Sequence, residues 1–126
     1  MRLILAIALG GAIGATARHV FATQVTRLAG DGFPWGILAV NVLGSFVMGV
    51  LAEGFALRWN APLEVLAFLT VGILGGFTTF SSFSLDSMLL IERGQWAVSA
   101  LYMLGSVALA VGGLFGGIYL MRHLLP

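Results

Sequence analysis

Residues 70–86 read Thr70-Val71-Gly72-Ile73-Leu74-Gly75-Gly76-Phe77-Thr78-Thr79-Phe80-Ser81-Ser82-Phe83-Ser84-Leu85-Asp86. They lie inside an apolar run from Leu63 to Ile91, with one carboxylate near each end and no charge between. Such a run is about 29 residues, or about 43 Å as one helix, against a hydrocarbon core of about 30 Å. A segment this long and this free of charge reads as a transmembrane helix. The glycine pair Gly75-Gly76 in its middle predicts a break into two half-helices. Carbonyls freed by a break must be satisfied inside the membrane by protein, water or an ion, and as hard oxygen ligands they suit a small cation. The bland reading of the same glycines is a kink, with threonine hydroxyls bonding the freed carbonyls.

The rest of the chain repeats the pattern. Apolar spans run from Leu3 to about Leu28, from Trp35 to Leu57 and from Trp96 to Met121. With the Leu63–Ile91 run they make four. The expectation is an all-α membrane protein, a single transmembrane domain over residues 1–126. Its connectors are the turn-rich stretches 29–34, 58–62 and 92–95. Trp35, Trp59 and Trp96 fall at span ends, where amphipathic rings favour the headgroup region. The start also carries the pattern of a cleaved leader: Arg2, an apolar run and Ala15-Thr16-Ala17. The apolar stretch continues past that triplet to Val20 and Phe21, which favours a first span.

Composition agrees. Of 126 residues, 60% are hydrophobic and 9% charged, and mean hydropathy is +1.05. A soluble domain carries about 25% charged residues, so this chain cannot build a water-facing surface. A net charge of +1 with no basic run excludes nucleic acid as a partner. The absence of cysteine excludes disulfides and thiolate metal sites. His19 and His123 have no metal-ligand spacing. No nucleophile–base constellation and no phosphate loop appears, so an enzyme is not expected.

All six basic residues are arginine. An even number of spans puts both termini on one side with Arg2, Arg58 and Arg122. Arg27 and Arg93 lie on the other, and Arg18 joins them if it snorkels that way. The positive-inside rule gives no clear orientation from this. Either one orientation wins weakly, or copies insert both ways and pair antiparallel.

Few polar groups lie within the spans. Thr79, Ser82 and Asp86 share one stripe of the third, and Phe80 and Phe83 another. Phenyl rings have a positive edge that can face an anion. Asn41 in the second span offers two N–H donors, for an interhelical bond or for a permeating anion. Ser99, Tyr102 and Ser106 form a hydroxyl stripe in the fourth span. Arg18 sits some sixteen residues into the first, a functional candidate by default inside a membrane. Gly10 and Gly14, Gly112 and Gly116, and Gly113 and Gly117 are spaced for close helix approach. A four-helix proton-coupled cation exporter would need a carboxylate early in the first span, which has none. A structural subunit of a larger complex would leave Asn41 and the serine-rich third span with packing alone.

Three segments then carry a family resemblance: Gly10-Gly11-Ala12-Ile13-Gly14-Ala15-Thr16-Ala17-Arg18, Pro34-Trp35-Gly36-Ile37-Leu38-Ala39-Val40-Asn41-Val42-Leu43-Gly44-Ser45-Phe46, and Gly75-Gly76-Phe77-Thr78-Thr79-Phe80-Ser81-Ser82-Phe83-Ser84. Over essentially its whole length the chain resembles the Fluc-type (CrcB) bacterial fluoride channels. The resemblance implies a dual-topology antiparallel homodimer in the cytoplasmic membrane, with two pores that pass fluoride passively outward. It implies that Phe80 and Phe83 line the pores and that Asn41, Tyr102 and Ser106 contribute polar contacts, with Thr79 and Ser82 beside them. Arg18 is implied at the vestibule. A structural sodium ion is implied on the carbonyls of Gly75 and Thr78, supplied twice by the dimer. Four positions depart from the usual pattern: Ile37 for threonine, Ser82 for threonine, Asp86 for glutamate and Ala110 for serine.

Overall fold

The computed structural model describes residues 1–126 and is all-helical. Helix α1 is Arg2–Ala29, α2 is Trp35–Leu57, α3 is Leu63–Ala67, α4 is Gly75–Phe77, α5 is Phe80–Glu92 and α6 is Trp96–Leu124. A π-helical stretch, Phe68–Leu74, joins α3 to α4. Counted as spans, Arg2–Ala29, Trp35–Leu57, Leu63–Glu92 and Trp96–Leu124 are each long and apolar enough to cross a membrane.

Glycines decide how the four spans pack. A methyl group on Gly10 would lie 2.5 Å from the Phe68 carbonyl oxygen, and one on Gly72 would lie 2.8 Å from the Gly10 Cα. Gly14 stands over the Ile73 carbonyl, and Gly76 over the Gly11 carbonyl. Backbone therefore meets backbone where α1 crosses the π-helical stretch, a wider coil with i→i+5 bonds that appears mostly as single turns. On the other side of the bundle, Gly49 of α2 abuts the Leu114 carbonyl, and Gly117 of α6 abuts the Phe46 carbonyl. Without a hydrophobic force between helices in lipid, such close approach is what holds them together.

Of the glycine pairs read from sequence, Gly10 with Gly14 and Gly113 with Gly117 pack inside the chain. Gly112 has no neighbour, and Gly116 meets only the edge of Phe46 at 3.9 Å. Gly117→Ala is expected to lower stability by about 1–3 kcal/mol, the usual cost of overpacking, read as thermal unfolding in detergent. Gly32→Ala, in a loop with nothing nearby, should leave the midpoint unchanged.

Only 18 of 126 residues are buried. Leucine, isoleucine, valine and phenylalanine side chains stand outward along α1, α5 and α6. In water this surface would be untenable; beside lipid tails it has no such cost.

One sequence expectation shifts in place. Gly75 keeps helical dihedrals (φ −63°, ψ −35°), and Gly76 lies within α4. Extended backbone occurs instead at Thr78 (ψ 155°) and Thr79 (φ −151°, ψ 126°). Glycine permits a bend, but it does not impose one. The side chain that holds the extended residues lies on another helix, as the site shows.

Candidate functional site

Thr79 has every hydrogen-bonding group of its backbone engaged. Its N–H donates to Asn41 Oδ1 at 2.8 Å, and its carbonyl accepts from Asn41 Nδ2 at 3.1 Å. The backbone partners fix the orientation of the amide, because only one face of it matches a donor beside an acceptor. Thr79 Oγ1 then accepts from Ser82 N at 3.1 Å and caps the start of α5. Of the two uses open to Asn41 in the sequence, an interhelical bond and a donor to an anion, the structure shows the first. One of the two N–H groups of Asn41 stays uncommitted to the protein. Because Thr79 N–H turns to Asn41, it does not close the helical bond to the Gly75 carbonyl.

Beside this clasp lies a cleft of about 300 Å³. Asn41, Thr78, Thr79, Phe80, Phe83 and Ser106 line it, with Ser45 and Ala110. The phenyl rings of Phe80 and Phe83 are 5.4 Å apart at 48°. Phe80 is 77% exposed, so its outer face needs cover from lipid or a second copy. The hydroxyls of α6 divide into three roles. Ser99 Oγ donates to the Ser87 carbonyl at 2.8 Å, a structural bond. Tyr102 hydroxyl donates to Asp86 Oδ2 at 3.3 Å. Ser106 Oγ is buried and has no protein hydrogen-bond partner. An unpaired buried hydroxyl costs about 1–3 kcal/mol, so Ser106 is the polar group in the cleft that needs something to bond.

A second hollow, of about 760 Å³, opens on the other flank of α5. Arg18, Arg27 and Arg93 line it with His19 and Asp31, and Ser82 and Asp86 reach it from α5. None of these arginines forms an ion pair; the single pair in the chain joins Arg122 to Glu53 at 2.9 Å. The hollow sets these three guanidinium groups against two carboxylates, Asp31 and Asp86, a lining with a modest positive balance that favours an incoming anion. It also assigns Arg18 a side, with Arg27 and Arg93. Ile37 is on its wall, where a hydroxyl is absent.

The structure thus gathers Asn41, Thr79, Phe80, Phe83 and Ser106 at the cleft, and Arg18 and Ser82 at the larger hollow. Tyr102 lines neither, but touches both sets. Its ring lies 5.2 Å from that of Phe83, and its hydroxyl meets Asp86. Thr78 is on the cleft and Gly75 is not. The sequence set Arg27 and Arg93 on the side that Arg18 joins by snorkelling, but it showed neither that the three share one hollow nor that Asp31 belongs with them. Arg27, Arg93 and Asp31 sit at helix ends and in a loop, where charge is ordinary and carries no signal of its own.

Residues 5–118 match the family described as CrcB-like protein, Camphor Resistance (CrcB). A relative from Nitrobacter hamburgensis named fluoride-specific ion channel FluC 1 is 52% identical over 121 residues, 96% of each chain. One from Rhodospirillum centenum, named fluoride-specific ion channel FluC, is 52% identical over 122 residues, 97% of each chain. Another of that name from Agrobacterium fabrum is 51% identical over 118 residues, 94% of each chain. With its four apolar spans, this is a multi-pass membrane protein, and the chain belongs to the CrcB-like family.

Proposed function

We propose that the chain is the subunit of a fluoride-selective channel that lets fluoride leave the cell down its gradient, across the bacterial cytoplasmic membrane. The observation that carries this reading is the Ser106 hydroxyl, buried at the cleft without a partner. Asn41, which has one N–H to spare, and the rings of Phe80 and Phe83 line the same cleft. Fluoride is small and strongly hydrated, so a selective path must replace its water with close donors. Hydroxyl, amide and ring edge all donate without a permanent charge, so they can strip water without holding the ion too tightly to release it. Fixed cations stand apart, in the Arg18 hollow, where they concentrate anions at a mouth. The relatives' name points to the same ion.

The complete channel in this proposal is an antiparallel homodimer with two pathways. Support comes from the exposed Phe80 and from the arginines. Arg18, Arg27 and Arg93 share one hollow, while Arg2, Arg58 and Arg122 belong to the other end, so charge gives neither orientation an advantage. A structural sodium ion fits the residues present. The Gly75 carbonyl is denied the Thr79 N–H, and Thr78 is extended. Their two carbonyl oxygens would hold the ion, doubled by the second copy. It would supply positive charge to oxygens that lipid cannot solvate.

Liposomes loaded with fluoride and chloride test the function. Purified protein should release fluoride rapidly and retain chloride; equal rates would sink the selectivity. Phe80→Ile or Phe83→Ile should suppress the flux with the dimer intact, and unchanged flux would remove those rings from the pathway. Crosslinking that found only parallel dimers would refute the inverted assembly.

A further inference from the structure

The α1–α2 loop carries a ring that none of the pathway residues accounts for. Phe33 lines the larger hollow, and its ring stands edge-on to Tyr102, 5.4 Å away at 89°. It also meets Trp35, with ring centroids 4.6 Å apart. The rings thus form one column: Trp35, Phe33, Tyr102, Phe83 and Phe80, with successive centroids 4.6 to 5.4 Å apart. The column runs from a loop at the span ends to the cleft that holds Ser106.

Tyr102 is the joint of this column. It is 1% exposed and stands between the cleft and the larger hollow. Its hydroxyl bond to Asp86, at 3.3 Å, is long for O–H···O and constrains the ring weakly. The faces and edges against it must fix its tilt instead. Phe83 supplies one and Phe33 the other. The Phe33 backbone is itself pinned, its carbonyl accepting from Trp35 N at 2.8 Å.

We infer that Phe33 is a positioning residue for the ion pathway, setting the Phe83 ring through Tyr102. The inference rests on the channel reading above and adds a loop residue to it. An aromatic pair that loses its partner forfeits an interaction whose loss corresponds to a change of about twofold to tenfold in a rate.

Single-channel recording in planar bilayers at saturating fluoride tests it. Phe33→Ala should lower the unitary fluoride current by about twofold to tenfold. The fluoride concentration for half-maximal current should not move, because Arg18, Arg27 and Arg93 are untouched. Phe33→Tyr, which keeps the ring edge, should conduct like the unmodified chain. Should Phe33→Ala fail to reconstitute, Phe33→Leu carries the same expectation with apolar bulk retained. Fewer channels of normal unitary current would mean that Phe33 serves folding alone, and would overturn the inference, as would an unchanged current. An unmodified protein that conducts no fluoride would instead overturn the channel reading, and this inference with it.

Discussion

Asn41→Leu is expected to lose both fluoride flux and a large part of the protein's stability. Leucine is close to asparagine in shape, so the change removes chemistry and little volume. It orphans the N–H and the carbonyl of Thr79, which bond to Asn41 at 2.8 and 3.1 Å. A partly buried backbone group left unpaired costs about 1–3 kcal/mol, so the two together cost about 2–6 kcal/mol. The thermal midpoint in detergent should fall on the order of 10 °C or more. The chain has one escape, which is to return Thr79 N–H to the Gly75 carbonyl and continue the helix. That would rotate α5 and carry Phe80 and Phe83 away from the cleft, so flux would be lost even where the protein survives. A variant with normal thermal stability and no flux would mean that Asn41 acts only as an ion contact. Normal stability with normal flux would dismiss the clasp altogether.

The same residue shows what could be read from the sequence and what could not. Four spans follow from hydropathy and length, because backbone facing lipid must be bonded internally, which a helix does, and about 20 apolar residues make a helix that crosses the bilayer. The shape of the site does not follow in this way. Gly75-Gly76 looked like the weak point of the third span, yet both residues are helical. The extended residues are Thr78 and Thr79. What decides between them is the amide of Asn41, thirty-eight residues earlier, and no local pattern records a partner at that distance. Asn41 was recognisable as a buried amide in need of bonds. Its use as a clasp, with one N–H to spare, follows only from the packing of α2 against the start of α5.

The fourth span makes the point from the other side. Ser99, Tyr102 and Ser106 recur at helical spacing and share a buried face, so periodicity found the stripe. Periodicity could not tell a structural hydroxyl from a free one. Ser99 is spent on a carbonyl of α5 and Tyr102 on Asp86, leaving Ser106 alone. Likewise Phe33 falls in the turn-rich stretch 29–34 with no role of its own in the sequence, because an aromatic contact between a loop and α6 leaves no trace in spacing.

Ser106→Ala is expected to separate stability from function, with opposite signs. The hydroxyl is buried and bonds to nothing in the protein. Removing it deletes a desolvated polar group, worth about 1–3 kcal/mol, and leaves a cavity no larger than one oxygen. The variant should therefore unfold at the same temperature as the unmodified chain or at a higher one. Fluoride, however, would lose a donor. A hydrogen bond to a charged group is worth about 1.5–3 kcal/mol, which corresponds to roughly tenfold to a hundredfold in rate. Efflux from liposomes should fall by that much, and Ser106→Thr, which keeps the hydroxyl, should recover part of it. A Ser106→Ala protein that is less stable would mean the hydroxyl has a structural partner. One that is equally fast would place the ion elsewhere. The combination expected here, a firmer protein with a slower channel, is the one that follows when the bond missing from Ser106 is made by the ion itself.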